Sequence, residues 1–145
     1  LGLINQGAVD FARTYGYNLV KEIRQNTERG VEQILNLLQQ EIPTFYEEGV
    51  NLGMLEERLA RWFGPVRAEM IAITETTRAA TEAERFAVEE LYKTYGIHMI
   101  PIWNTSGDER VCPLCAPRDG KVIEDDIYPP LHVRCRCFVT HRIPK

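Results

Sequence analysis

Apolar residues recur with helical spacing along the first two thirds of the chain. Over residues 8–25, Val9, Ala12, Leu19, Val20 and Ile23 fall roughly on one face, which predicts a helix. Asn26, Thr27 and Glu28 supply capping side chains and interrupt it. From Glu28 to Glu41, Val31, Ile34, Leu35, Leu38 and Ile42 form an i, i+3, i+4, i+7, i+11 stripe, a second helix that Pro43 should stop. Phe45 to Asn51, with Gly49, reads as a connector. Residues 52–63 read as a short helix with Leu55, Leu59, Trp62 and Phe63 turned inward. Gly64-Pro65 punctuates the chain before a long helix over residues 65–94. That segment is rich in Ala, Glu and Arg, has no internal Gly or Pro, and should be capped by Gly96.

Beyond Gly96 the pattern changes. Ile97 to Trp103 predicts a strand, placed at a sheet edge by Pro101. Arg118-Asp119-Gly120-Lys121 carries the Asp-Gly signal of a tight hairpin, with Val122-Ile123 starting the returning strand. The acidic stretch Glu124-Asp125-Asp126 ends at Pro129-Pro130, and Phe138 to Ile143 predicts a last short strand. The expected fold is α+β: a helical body of four or five helices over residues 1–96, then a small β module over 97–145.

Charge follows the same division. The chain has 145 residues and a net charge of −4, but residues 1–104 carry 10 basic and 15 acidic groups, a net of −5. Residues 105–145 carry 7 basic and 6 acidic groups, a net of +1. An acidic body argues against avid, unspecific nucleic-acid binding. With 44% hydrophobic and 26% charged residues the composition is that of a folded globular chain. No apolar run is long enough to span a membrane, and the first residues lack the pattern of a signal peptide. The chain starts at Leu1 rather than Met, so a fragment or a processed product is expected.

The four cysteines all lie in the last 34 residues. The pattern is Cys112-Pro-Leu-Cys115, 16 intervening residues, then His132-Val-Arg-Cys135-Arg-Cys137. A Cys-x-x-Cys knuckle lets two thiolates reach one metal from a tight turn, and a second pair can complete a tetrahedron. Soft thiolates with an imidazole favour zinc. Cys112, Cys115, His132, Cys135 and Cys137 are five candidates for four positions, so three-Cys-one-His and four-Cys sites both fit the spacing. The donor left out would support the site or be a buried thiol. Disulfides or unligated thiols would also account for the cysteines. About 40 residues with few large aliphatics need such a staple, and structural zinc would supply the missing folding energy. Trp103, Leu131 and Phe138 should form a small cluster beneath it.

The residues around these donors carry a resemblance. Trp103-Asn-Thr105-Ser-Gly-Asp108-Glu-Arg110-Val-Cys112-Pro-Leu-Cys115, Asp119-Gly120-Lys121-Val122 and Pro129-Pro130-Leu131-His132-Val-Arg-Cys135-Arg136-Cys137 resemble the phage Mu F-like minor head proteins, also called head morphogenesis proteins. Upstream, Ile71-Ala72-Ile-Thr74-Glu75 is similar to the family's Ile-Ala-Arg-Thr-Glu helix, with Ile73 where the family usually has Arg. The resemblance spans about residues 30–140. It implies a non-enzymatic virion component of a tailed phage or prophage, associated with portal or capsid proteins and present in the host bacterial cytoplasm during assembly. It also raises DNA as a contact.

Other chemistry is weaker. Glu75 and Arg78 read first as a solvated i, i+3 pair, with a buried contact as the second reading. Thr74 and Thr76 read as ordinary helical residues and Asp108 as a turn residue. Arg110, Arg134 and Arg136 would offset thiolate charge, or else touch phosphate. Glu124, Asp125 and Asp126 read as a solvated loop. His132 with His141 suggests a zinc nuclease as the enzymatic reading, but a thiolate-rich closed site offers no open metal position and no base. A DNA-binding zinc module and the carrier domain of a phage-delivered toxin are also compatible with the pattern.

Overall fold

The computed structural model describes residues 2–15, 28–108 and 111–145, with side-chain surroundings given outside 2–5 and 28–34. Among them are four α-helices followed by a two-stranded antiparallel sheet, an α+β fold. The helices are α1 (Gly2–Thr14), α2 (Glu28–Glu48), α3 (Leu52–Phe63) and α4 (Pro65–Tyr95); the strands are β1 (Ile100–Asn104) and β2 (Phe138–Arg142).

Helix α1 begins earlier and ends sooner than its apolar spacing suggests. Thr14 Oγ1 turns back to the Asp10 and Phe11 carbonyls. Tyr15, already outside the helix, stacks on Phe11, and its carbonyl accepts from Gln39 Nε2 at 3.0 Å. Leu19, Val20 and Ile23 lie outside the described residues. Helix α2 does not stop at Pro43 but runs through it. The proline forfeits one backbone hydrogen bond, but the extra turn seats Phe45 and Tyr46 against the core. Tyr46 also donates its hydroxyl to the Thr76 carbonyl at 2.7 Å. The connector is thereby reduced to a turn before Asn51, whose side chain caps α3 by accepting from the Met54 N–H at 3.0 Å.

The helical core gathers Ala12, Leu38, Ile42, Leu55, Leu59, Ala68, Ile71 and Ala72. Trp62 does not join it and is 68% exposed. The last fully buried residue of α3 is Leu59, and Phe63 in the final turn packs half-buried against the same core, as expected, so Trp62 alone of the four expected inward positions stays outside it. Helices α1 and α4 meet through small residues, Ala8 against Ala79 and Ala83. A Cβ on Gly7 would stand 3.3 Å from the Ala83 Cα, so glycine permits this close approach.

In the module, β1 pairs with β2 in the register Pro101↔His141 and Trp103↔Val139. Strand β1 is an edge of this two-stranded sheet, as Pro101 suggested, and a loop lies along its other side. Trp103 N–H donates to Lys121 O, Gly120 N–H to Trp103 O and Ile123 N–H to Pro101 O, at 2.8–3.0 Å. The expected returning strand is only an isolated bridge, Ile102↔Val122. The missing N–H of Pro101 points to this side, because a residue's N–H and C=O share a side in an antiparallel strand. The turn itself forms at Gly120, with φ 72°. Trp103, Ile123, Val139, Cys115, Cys135 and Cys137 make a second core, with Leu131 packed against it. Phe138 is instead 50% exposed, because strand alternation sends its neighbour Val139 inward.

Candidate metal centre

Two short segments build the site. Cys112 and Cys115 sit on a tight turn, closed by the Cys115 N–H to Cys112 O at 3.1 Å and the Ala116 N–H to the same carbonyl at 3.0 Å. The Cys115 N–H also approaches Cys112 Sγ at 3.3 Å, a geometry that favours thiolate. His132, Cys135 and Cys137 come from the loop that enters β2. Cys115, Cys135 and Cys137 are buried; Cys112 and His132 are half-buried.

The five donors converge. His132 Nε2 lies 3.0 Å from Cys112 Sγ and 3.2 Å from Cys115 Sγ. Cys115 Sγ lies 4.0 Å from Cys135 Sγ. Two triads result, Cys112-Cys115-His132 and Cys115-Cys135-Cys137, with Cys115 common to both and all donor atoms of a triad within 4.8 Å of one another. Around a tetrahedral zinc, sulfur–nitrogen and sulfur–sulfur separations are about 3.6 and about 3.8 Å. The sulfur–nitrogen spacings are shorter than this and the sulfur–sulfur spacing slightly longer, and the donors are of the type that suits a soft divalent ion. His132 Nδ1 is 2.7 Å from the Val133 carbonyl. Donation there places the proton on Nδ1 and leaves the Nε2 lone pair facing the sulfurs.

The thiols differ in their surroundings. Burial opposes ionisation of Cys112, but Cys115, the Cys115 and Leu114 backbone N–H groups and His132 outweigh it and lower its pKa. Burial, reinforced by Cys112 and the neighbouring cysteines, raises that of Cys115. Burial, then Cys135, pushes Cys137 up to about 11, against a smaller opposing influence of the Trp103 indole N–H. That buried N–H makes no regular hydrogen bond among the described residues. All four cysteines are free thiols, and no disulfide links them.

Of the arginines expected to offset thiolate charge, Arg134 and Arg136 are engaged with carboxylates rather than turned only toward sulfur, and Arg110 lies outside the described residues. Arg136 grips Asp108 at 2.9 and 3.0 Å, and Arg134 Nε is 3.8 Å from Glu69 on α4. Asp108 is therefore an ion-pair partner as well as a turn residue. Arg118 holds Asp125 at 2.7 Å and lies over the Trp103 ring. Asp126 is exposed and 3.8 Å from Arg85, in keeping with a solvated loop. His141 does not share the cysteine site. It packs beside Glu84 of α4 at 3.3 Å, and burial, partly opposed by Glu84, lowers its pKa.

Helix α4 contributes what the sequence does not announce. Thr74 Oγ1 accepts from the Arg134 N–H at 2.9 Å, and Thr77 Oγ1 donates to the Cys135 carbonyl at 2.8 Å. Thr74 is thus more than an ordinary helical residue, and nothing in the local sequence marks Thr77. Threonines three apart on a helix are commonplace, and their partners lie 60 and 58 residues away. Glu75 is 3% exposed and 3.2 Å from the half-buried Arg78, so the carboxylate of the pair is buried rather than solvated.

Fold and site together define an α+β protein in which a helical body carries a small Cys/His-rich module on its longest helix. The family profile described as Phage Mu protein F like protein matches residues 21–140, and the chain belongs to that family of phage head morphogenesis proteins. No curated protein and no solved structure matches it. No described helix is long and apolar enough to cross a membrane.

Proposed function

We propose that this chain is a structural minor head protein of a tailed phage or prophage. It associates with portal or capsid proteins while the head is assembled in the host bacterial cytoplasm, and it remains in the virion. Membership of the Mu F-like family over residues 21–140 carries this reading. We place a functional division at Gly96, which ends α4 and separates the helical core from the Trp103 cluster. The role is architectural, with no catalytic residue. The test is co-sedimentation of the purified chain with portal assemblies or procapsids. Co-migration at a fixed stoichiometry supports the assignment; its absence from both overturns it.

The module would be stapled by one zinc ion held by Cys112, Cys115, His132 and Cys135. The orientation of His132 toward both knuckle sulfurs and the 4.0 Å approach of Cys135 support this set. Cys137 would remain a buried thiol beside the Trp103 N–H. When bound, zinc supplies folding energy and neutralises thiolate charge; a four-ligand site leaves no open position for chemistry. Metal analysis should give one zinc per chain, retained in Cys137→Ser and lost in Cys135→Ser. The reverse pattern would move Cys137 into the ligand set, and no metal in the wild-type chain would remove the staple. DNA is a secondary candidate ligand. Plasmid cleavage abolished by His132→Ala would overturn the non-enzymatic reading.

A further inference from the structure

We propose that Thr74 and Thr77 are positioning residues for the metal centre, so that helix α4 presets the loop holding half of the donors. The inference rests on the metal-binding reading above. Between His132 and Cys135 the chain must reverse within one turn. The Cys135 N–H closes that turn on His132 O at 3.2 Å, and Arg134 sits at its apex with φ 64°. A non-glycine residue in this left-handed region is held there against a steric cost. The backbone atoms flanking the strained residue are the ones that α4 grips. Thr74 accepts the Arg134 N–H, and Thr77 donates to the Cys135 carbonyl.

The two hydroxyls are suited to this. Thr74 is fully buried, and its own proton goes to the Met70 carbonyl at 2.7 Å, so its oxygen is fixed as an acceptor toward the loop. Thr77, one helical turn on, presents its proton to the Cys135 carbonyl. One acceptor and one donor thus match the polarity of the passing chain. Losing either leaves the turn free to relax, and Cys135 Sγ with it, away from Cys115. The helical body therefore forms part of the support for the ligand set, and the module is not an autonomous zinc knuckle.

The experiment compares zinc affinity of the full chain and its variants by competition with a chromophoric chelator at fixed pH. Thr74→Val and Thr77→Val keep the shape and remove the hydroxyl. Each should weaken zinc roughly tenfold or more, the scale of groups that orient metal ligands, and Thr74→Ser should restore most of the affinity. Thr81→Val is the matched control, since Thr81 is also buried on α4 but forms no hydrogen bond to the loop among the described residues. It should leave affinity unchanged. Wild-type affinity in the valine variants would overturn the positioning role while leaving the metal site standing. A wild-type chain that binds no zinc would overturn both. Thr77 is only half-buried, so its variant decides the matter if Thr74→Val fails to fold.

Discussion

Arg78→Met tests whether α4 depends on the ion pair of a buried carboxylate. Glu75 is 3% exposed and its carboxylate lies 3.2 Å from the Arg78 guanidinium. At that separation and an effective dielectric constant of about 20, the attraction is about 5 kcal/mol. The Arg78 side chain is 27% exposed, so water screens part of this. Roughly half should survive as the cost of stranding Glu75, about 2–3 kcal/mol. Arg78 also lies 5.2 Å from the Tyr15 ring centroid, a contact worth about 0.5–1 kcal/mol. Burial raises the Glu75 pKa, with Arg78 opposing it. The folded chain therefore holds that proton more tightly than the unfolded chain. Stability from this group falls as pH rises from the ordinary value of 4.5 through the raised folded value, and the loss is complete above it. Removing Arg78 lifts the folded value further and widens that window upward. Urea unfolding at neutral pH should show a loss of about 3 kcal/mol for Arg78→Met. The deficit relative to wild type at the same pH should shrink on acidification. Glu75→Gln combined with Arg78→Met should recover all but the aromatic contact. An Arg78→Met protein as stable as wild type, or a double variant no better than the single one, would refute the argument.

Three further outcomes follow from the packing. Leu59→Ala, at a fully buried position, should cost about 2–5 kcal/mol in chemical denaturation, whereas the exposed Trp62→Ala should cost much less. Chelation of bound metal should expose the amides of 112–118 and 132–139 to hydrogen exchange while those of α3 and the first half of α4 stay protected; uniform loss of protection would contradict a local staple. Arg136→Ala removes a partly exposed pair with Asp108 and should change stability by less than about 1 kcal/mol. A larger loss would show that this arginine supports the loop beyond its ion pair.

The helical body was legible because burial imposes periodicity. Leu38, Ile42, Leu55 and Leu59 lie in the core where the stripe placed them, and Gly96 caps α4 at the expected point. Boundaries failed where tertiary contacts outweighed local signals. Pro43 did not end α2, because the following turn seats Phe45 and Tyr46, and Trp62 stayed exposed although its neighbour Phe63 packs on the core, since no other element covers that side of α3 among the described residues. Within the module, Trp103 and Leu131 clustered as expected, but Phe138 did not, since the register of β2 is set by pairing with β1 rather than by apolarity.

The candidate donors were nameable from spacing alone, because a metal needs soft donors in pairs and a Cys-x-x-Cys turn is a local device. The same stretch, with the helical motif around Thr74, already pointed to the phage head family. Spacing could not decide how the donors face one another. That required the fold to bring residue 132 within 3.2 Å of residue 115 and to fix the ring of His132 against the Val133 carbonyl. Nor could it reveal that Thr74 and Thr77 hold the loop, or that Glu75 is buried, since a helix face has no identity until something packs on it. Local chemistry was written in the chain; which distant backbone each helical hydroxyl would meet was decided only by the packing of the module onto α4.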